Sequence, residues 1–155
     1  MTPGINLAKK HKITHRVHEY AHDPSSASYG TEAAEKLGLA EAQVFKTLVL
    51  SLDGRELAVA VLPVSSMLNM KLAAKAFGAK KATMADKSEA ERSTGYILGG
   101  VSPLGQKKRL RTAIDDSATG HPTVYVSAGR RGLEIELAPE DLKKLTGGRY
   151  ATLCQ

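Results

Sequence analysis

A chain of 155 residues with 42% hydrophobic and 25% charged side chains can bury one real core, and its balance excludes wholesale disorder. Its net charge of +6, with the larger excess in the second half, points toward a polyanionic partner such as nucleic acid or a membrane surface, a merely soluble basic protein being the plain alternative. The one cysteine, Cys154, excludes an internal disulfide framework, fits a reducing compartment, and lies too near a chain end to make a good nucleophile.

In chain order, Thr2-Pro3 predicts a helix start that runs to about Lys10, an N-cap followed by proline at the first position. Residues Ile13–Ala21 alternate, with Ile13, Val17 and Ala21 on one face and Arg16, His18 and Tyr20 on the other, a half-polar strand. Asp23-Pro24-Ser25-Ser26 is a loop, and Thr31 through Leu37 a helix capped by Thr31 and closed by Gly38. Val44–Leu52 is the strongest strand; Asp53-Gly54 signals a two-residue hairpin into Glu56–Pro63. Runs this apolar belong to strands buried on both faces. Asn69 caps a helix ending at Gly78, and Asp86-x-x-Glu89 is a capping box for another. Residues 94–106 form a Gly/Pro-rich loop. Strands are predicted at 109–114, 123–127 and 132–137, a helix from Pro139 to Gly147, and a last strand in RYATL. Hairpins mixed with short helices, without a regular βαβ repeat, predict one domain over 1–155 of α/β content and α+β type: a mixed sheet with peripheral short helices.

The uncharged runs Leu57–Met70 and Ser93–Gln106 fall short of the ~20 apolar residues of a membrane span. The opening MTPGINLAKKHK lacks the apolar stretch of a secretory signal. A soluble, cytoplasmic protein with no membrane partner is expected. His11, His15, His18 and His22 are spaced like ligands on a helix, but their segment reads as loop and strand, so solvated histidines are the better reading and no metal is expected.

Lys46 is the most unusual residue. It sits in VFKTLVL on the face of Val44, Leu48 and Leu50, where a lysine must snorkel to water or occupy a polar pocket. The 94–106 loop is the second candidate, because Gly99-Gly100-x-x-Pro103 lets backbone approach a ligand and aim N–H groups at a carbonyl or phosphate. Ser127-Ala128-Gly129 is a third, either a turn beside a pocket or an ordinary hairpin. Three basic groups, Lys80-Lys81, Lys107-Lys108-Arg109 and Arg130-Arg131, would neutralise phosphates or stand as solvated turns. Five Tyr, two Phe and no Trp are too few for an extended stacking platform, which favours contact with a nucleic-acid end or backbone.

FKTLV around Lys46, AVAVLPV at 58–64, KLAAKAFGAKK at 71–81, RSTGYILGGVSPLGQKKRL at 92–110 and YVSAGRRGLEIEL at 125–137 together resemble the YbaK-type Cys-tRNA(Pro) deacylases, relatives of the editing insertion in bacterial prolyl-tRNA synthetase. The resemblance runs nearly end to end. It implies a mixed sheet strongly curled toward a partial barrel, and hydrolytic clearance of cysteine from proline tRNA with no metal or organic cofactor. Lys46 falls on the lysine the family requires, Gly99-Gly100-x-x-Pro103 on its substrate loop, and Tyr20, Tyr29, Ser127, Gly129 and Glu134 on positions expected around one pocket. Glu134 departs from an expected Asp. The implied reaction has the substrate's own thiol attack its ester carbonyl and release a cyclic thiolactone, a lyase-like step that needs no protein nucleophile. Backbone N–H groups near Gly100 would stabilise the oxyanion, and Lys46 would hold the acceptor end. The partners implied are the acceptor end of aminoacylated tRNA and a ternary complex with prolyl-tRNA synthetase. A sister deacylase acting on Ala-tRNA(Pro) or another small aminoacyl-tRNA, and a non-catalytic binder of a tRNA 3′ end or a synthetase, are the alternatives.

Overall fold

The hairpin signal is realised first. Asp53 and Gly54 both take positive φ, +54° and +67°, and Arg55 N donates to Leu52 O; the register pairs Leu52 with Glu56, so the connection holds three residues, one more than predicted. They join β2 (Phe45–Leu52) to β3 (Glu56–Pro63) in a continuous antiparallel ladder. A computed structural model describes residues 1–26 and 28–155, and of Tyr29 the backbone alone. The remaining strands are β1 (His15–Glu19), β4 (Ala82–Met84), β5 (Arg111–Asp115), β6 (Val124–Arg130), β7 (Leu133–Leu137) and β8 (Arg149–Ala151). The helices are α1 (Pro3–Lys10), α2 (Tyr29–Leu37), α3 (Met70–Ala76), α4 (Lys87–Thr94) and α5 (Pro139–Thr146).

The strands form a five-stranded mixed sheet ordered β4-β2-β3-β5-β8 and a three-stranded antiparallel sheet ordered β1-β7-β6. The α+β reading therefore holds, but the partial barrel does not. Neither sheet closes or curls strongly. The large sheet ends in strands of three residues, β4 and β8, too short to carry its edges round to the other sheet. Among the described residues the two sheets are joined by one isolated bridge, Val44 to Tyr125.

Ala58 through Leu62 are fully buried, as expected of a strand covered on both faces. One core lies between the sheets, where Phe45, Val59, Val61 and Ile114 meet Val126, Ile135 and Leu137. The other lies beneath α3, where Leu50, Ala60 and Leu62 meet Ala73, Phe77 and Leu153. Thr2 caps α1, accepting from Ile5 N, and its hydroxyl donates to Ala128 O, which ties the N-terminus to β6. Asn69 and Asp86 cap α3 and α4 as expected. Helix α2 begins earlier than predicted, after Ser28 rather than at Thr31. Strand β1 is shorter than its alternating segment, and β4 leaves no readable period. Among the described residues no helix is long and apolar enough to cross a membrane.

Candidate functional site

The cross-strand register of the small sheet decides which side chains share a face. His18, Glu134 and Ser127 stand opposite one another across β1, β7 and β6, so they project to one side, while Ile135 and Val126 project into the core. That polar face looks toward the start of β2. Between them lies a cavity of about 350 Å³ whose walls include Tyr20, Lys46, Thr47, Gly99, Ser127 and Glu134.

Lys46 stands at the mouth of β2, half-buried, and its Nζ donates to the Ser66 carbonyl at 2.9 Å. An ammonium has three donors, so two remain for a ligand. Glu134 is 6% exposed and has no hydrogen-bond partner among the described residues. Burial pushes its carboxyl up to about 8, because desolvation penalises the charged form. Burial likewise raises the Tyr20 phenol. Ser127 Oγ accepts from Gly129 N at 3.2 Å. Thr47 Oγ1 is buried without a hydrogen-bond partner among the described residues.

The fourth wall is backbone. Residues 95–106 form a loop closed at its neck, where Lys107 N and Lys108 N donate to Thr94 O and Ser93 O, the form of a compact Ω-loop. Tyr96 staples it from inside, its hydroxyl donating to Leu104 O at 2.6 Å. Gly100 is pressed against β6: a Cβ there would stand 2.7 Å from Arg130 Cα. Its N–H donates to Ile97 O and is spent on the loop. The amides of Gly99 and Val101, both on the cavity wall, have no acceptor among the described residues. Of the backbone N–H groups near Gly100 expected to act on an oxyanion, these two are the ones the loop leaves open.

Five of the expected site residues thus meet around one cavity: Tyr20, Lys46, Gly99, Ser127 and Glu134. Gly129 is not on its wall. With φ +124° it packs against Tyr96 and Thr2, a backbone position without room for a side chain. Pro103 lies on a different cavity. The side chain of Tyr29 lies outside the described residues. Thr47 was missed, although a threonine beside the lysine of an apolar strand was the available signal. The sequence is silent on Gly30 and Leu98, which also line the cavity.

The family described as aminoacyl-tRNA editing domain matches residues 23–145. The chain belongs to this family. It is 38% identical over 152 residues, 98% of its length and 92% of the relative's, to an Enterococcus faecalis (strain ATCC 700802 / V583) protein named "Putative Cys-tRNA(Pro)/Cys-tRNA(Cys) deacylase EbsC". It is 28% identical over 122 residues, 79% of its length and 77% of the relative's, to "Uncharacterized protein YwhH" of Bacillus subtilis (strain 168). It superposes with a TM-score of 0.82 and 24% identity on a crystal structure described as "a putative trans-editing enzyme for prolyl tRNA synthetase", covering 100% of this chain and 99% of that one.

The basic groups of this editing domain are not gathered at the cavity. Lys80-Lys81 turn beside Asp53, whose carboxylate accepts from both their amides. Asp53 lies seven residues along from Lys46, about 23 Å at ~3.3 Å per strand residue. Arg131 faces inward, its Nη2 donating to Ser26 O and standing 3.9 Å from Glu32. Glu32 also accepts from His22 at 2.8 Å and from Asp23 N. Burial opposes its charge, but these bonds hold its carboxyl below the ordinary range. His18 bonds Glu136 at 2.9 Å and tilts against Tyr125. These two histidines are therefore carboxylate-bound rather than solvated. Among the described residues no cluster of His, Cys, Asp and Glu is fit to hold a metal ion.

Proposed function

We propose that this single-domain chain is a trans-editing aminoacyl-tRNA deacylase that clears Cys-tRNA(Pro) in the cytoplasm, the tRNA being delivered in a ternary complex with prolyl-tRNA synthetase. Membership of the editing family and the deacylase name of the 38%-identical relative support the reaction class. The observation that carries the mechanism is the cavity itself, which holds one cation, one buried carboxyl and two open amides. Among the described residues, none of its hydroxyl side chains, on Tyr20, Ser28, Thr47 and Ser127, has a histidine hydrogen-bonded to it to act as base. The only protein thiol, Cys154, is pushed up to about 11 by burial and by Asp115, so it stays protonated near neutrality.

The nucleophile then comes from the substrate. Lys46 holds the terminal nucleotide through its two remaining donors. The Gly99 and Val101 amides meet the ester carbonyl where charge develops. The cavity keeps the cysteine thiol folded back on its own ester, a near-attack geometry. Sulfur bonds to the carbonyl carbon and its proton passes to ionised Glu134. The carbon–oxygen ester bond breaks, the ribose oxygen takes a proton, and thiolactone and free tRNA leave. The carboxyl near 8 is well matched to a thiol of ordinary pKa ~8.5.

Deacylation of Cys-, Ser- and Ala-tRNA(Pro) tests this reading. Rapid loss of Cys with Ser spared supports it. Cleavage of Ala-tRNA(Pro) at the rate of Cys-tRNA(Pro) would show a sister deacylase, and tRNA binding with no cleavage a non-catalytic module.

A further inference from the structure

A second cavity, of about 290 Å³, lies on the far stretch of the same loop. Its floor is apolar, made by Leu7, Pro103, Leu110 and Leu145. Around it stand His11, Lys108, Arg109 and Lys144, all exposed, and no acidic residue is among its walls. Three separate segments supply these groups: the end of α1, the neck of the 95–106 loop, and the last turn of α5. Among the described residues none of the three Lys or Arg side chains makes an ion pair; the pairs present elsewhere engage His18, His22, Arg111 and Arg131. Like charges brought together without a counter-charge repel one another, and an anion relieves that repulsion. An apolar floor inside a cationic rim suits a nucleotide, whose ribose and base cover apolar surface while its phosphates face the rim.

We infer that this basin binds a phosphate-bearing nucleotide of the RNA substrate, outside the cavity where the ester is cleaved. The inference rests on the deacylase reading for the identity of the RNA. The loop links the two sites: Val101 lines one and Pro103 the other, at most ~7 Å of chain apart. Ser102 between them is fully buried and bonds Leu104 N and Gln106, so the two walls move together.

Lys144 is exposed on the surface of α5, so its replacement leaves the fold intact. The test compares the wild type with Lys144→Gln and Lys144→Arg, using labelled uncharged tRNA(Pro) across a KCl series and inorganic pyrophosphate as competitor. Deacylation of Cys-tRNA(Pro) is measured beside that of 3′-cysteinyl-adenosine, which carries no phosphate. Lys144→Gln should weaken tRNA binding several-fold and make the log K against log salt slope shallower by about 0.7–0.9. KM for Cys-tRNA(Pro) should rise without a change in kcat, cysteinyl-adenosine should be cleaved as by the wild type, and Lys144→Arg should restore binding. A wild-type affinity and slope in Lys144→Gln would overturn the site. Equal losses on both substrates would overturn it too, because a merely structural defect does not depend on phosphate. Pyrophosphate binding that Lys144→Gln weakens, with tRNA binding unaltered, would assign the basin to a free phosphate compound and overturn the RNA reading. If the wild type cleaves neither substrate, the deacylase reading falls, while the salt slope with uncharged tRNA still decides the basin.

Discussion

The cavity at Lys46 is walled by strands and by the 95–106 loop, and it holds a buried carboxyl with no hydrogen-bond partner among the described residues. The basin at Lys144 is walled by the ends of helices and a loop neck, and keeps its charges in water. Both touch one rigid loop. Burial of Glu134 strengthens the interactions it makes, which suits the first site to a reacting carbonyl. Exposure leaves charge screened by salt, so the second is suited to attract and orient a long anion. Changes in the first should therefore appear in kcat and in pH profiles. Changes in the second should appear in KM and in salt dependence.

The largest effect should come from Lys46→Ala. Removing a preorganised charged donor from the cavity is expected to lower kcat/KM for Cys-tRNA(Pro) by on the order of 10² or more. Melting should move little, since the loss within the protein is one hydrogen bond to Ser66 O, worth about 1 kcal/mol. Single-turnover deacylation beside a thermal melt checks both. Full activity in the variant would remove Lys46 from the mechanism.

Gly100→Ala should come next and strike both kcat and stability. The added methyl meets Arg130 Cα at 2.7 Å and Arg131 N at 3.1 Å, backbone atoms at the end of β6 and the start of its turn, which cannot swing aside as a side chain can. Overpacking of this kind costs about 1–3 kcal/mol. The loop must shift, taking the Gly99 and Val101 amides off the carbonyl, and a displacement near 1 Å can cost ~10²-fold. Gly99→Ala, at φ +96°, is a weaker probe because it mixes backbone strain with the site.

Glu134→Gln separates charge from shape. The carboxyl sits at about 8 in the folded chain against an ordinary 4.5, so the folded state binds its proton more tightly than the unfolded state does. Its contribution to stability is complete below about pH 4.5 and is lost as pH rises toward 8. The whole excursion amounts to a few kcal/mol at most. The Gln variant lacks it. Its melting temperature should approach or fall below the wild type's at pH 5 and exceed it by several °C at pH 9. In deacylation, kcat should rise with pH through about 8 in the wild type as Glu134 ionises. The Gln variant should be slower and lack that contribution to the profile.

Much of the site at Lys46 was legible in the sequence because its signals are local or chemical. A lysine inside FKTLVL announces a polar pocket by the cost of burying it elsewhere. Asp53-Gly54 announces its turn by the φ values it tolerates, and Thr2, Asn69 and Asp86 announce helix starts by the orphan amides they satisfy. Long-range arrangement was not legible. Nothing local says that β3 pairs in parallel with β5, or that β5 pairs with β8. A three-residue strand such as β4 is too short to show a period, and although RYATL pointed to β8, nothing local showed that β4 and β8 are the open edges of the large sheet. The inward turn of Arg131 toward Glu32 and Ser26 is likewise a product of tertiary packing. A pair of adjacent arginines looks the same in sequence whether it binds a phosphate or braces a loop.

The smallest expected effect tests how far the electrostatic surface extends. Lys80 and Lys81 stand at the end of β2 opposite Lys46, with Asp53 bound to their amides. A carboxylate beside them offsets part of their field, and the ~23 Å of strand to Lys46 exceeds the ~8 Å screening length at physiological salt. Replacing both with Gln removes two positive charges, where Lys144→Gln removes one. If net charge alone governed tRNA binding, the double variant would be weaker than Lys144→Gln. If position governs it, the double variant should change KM for Cys-tRNA(Pro) by less than about twofold and leave the salt slope within ~0.3 of the wild type, well short of the 0.7–0.9 lost per phosphate contact. Salt titrations of both variants on one tRNA preparation decide between the two. A larger effect at Lys80-Lys81 than at Lys144 would place the RNA path along β2 rather than across the basin.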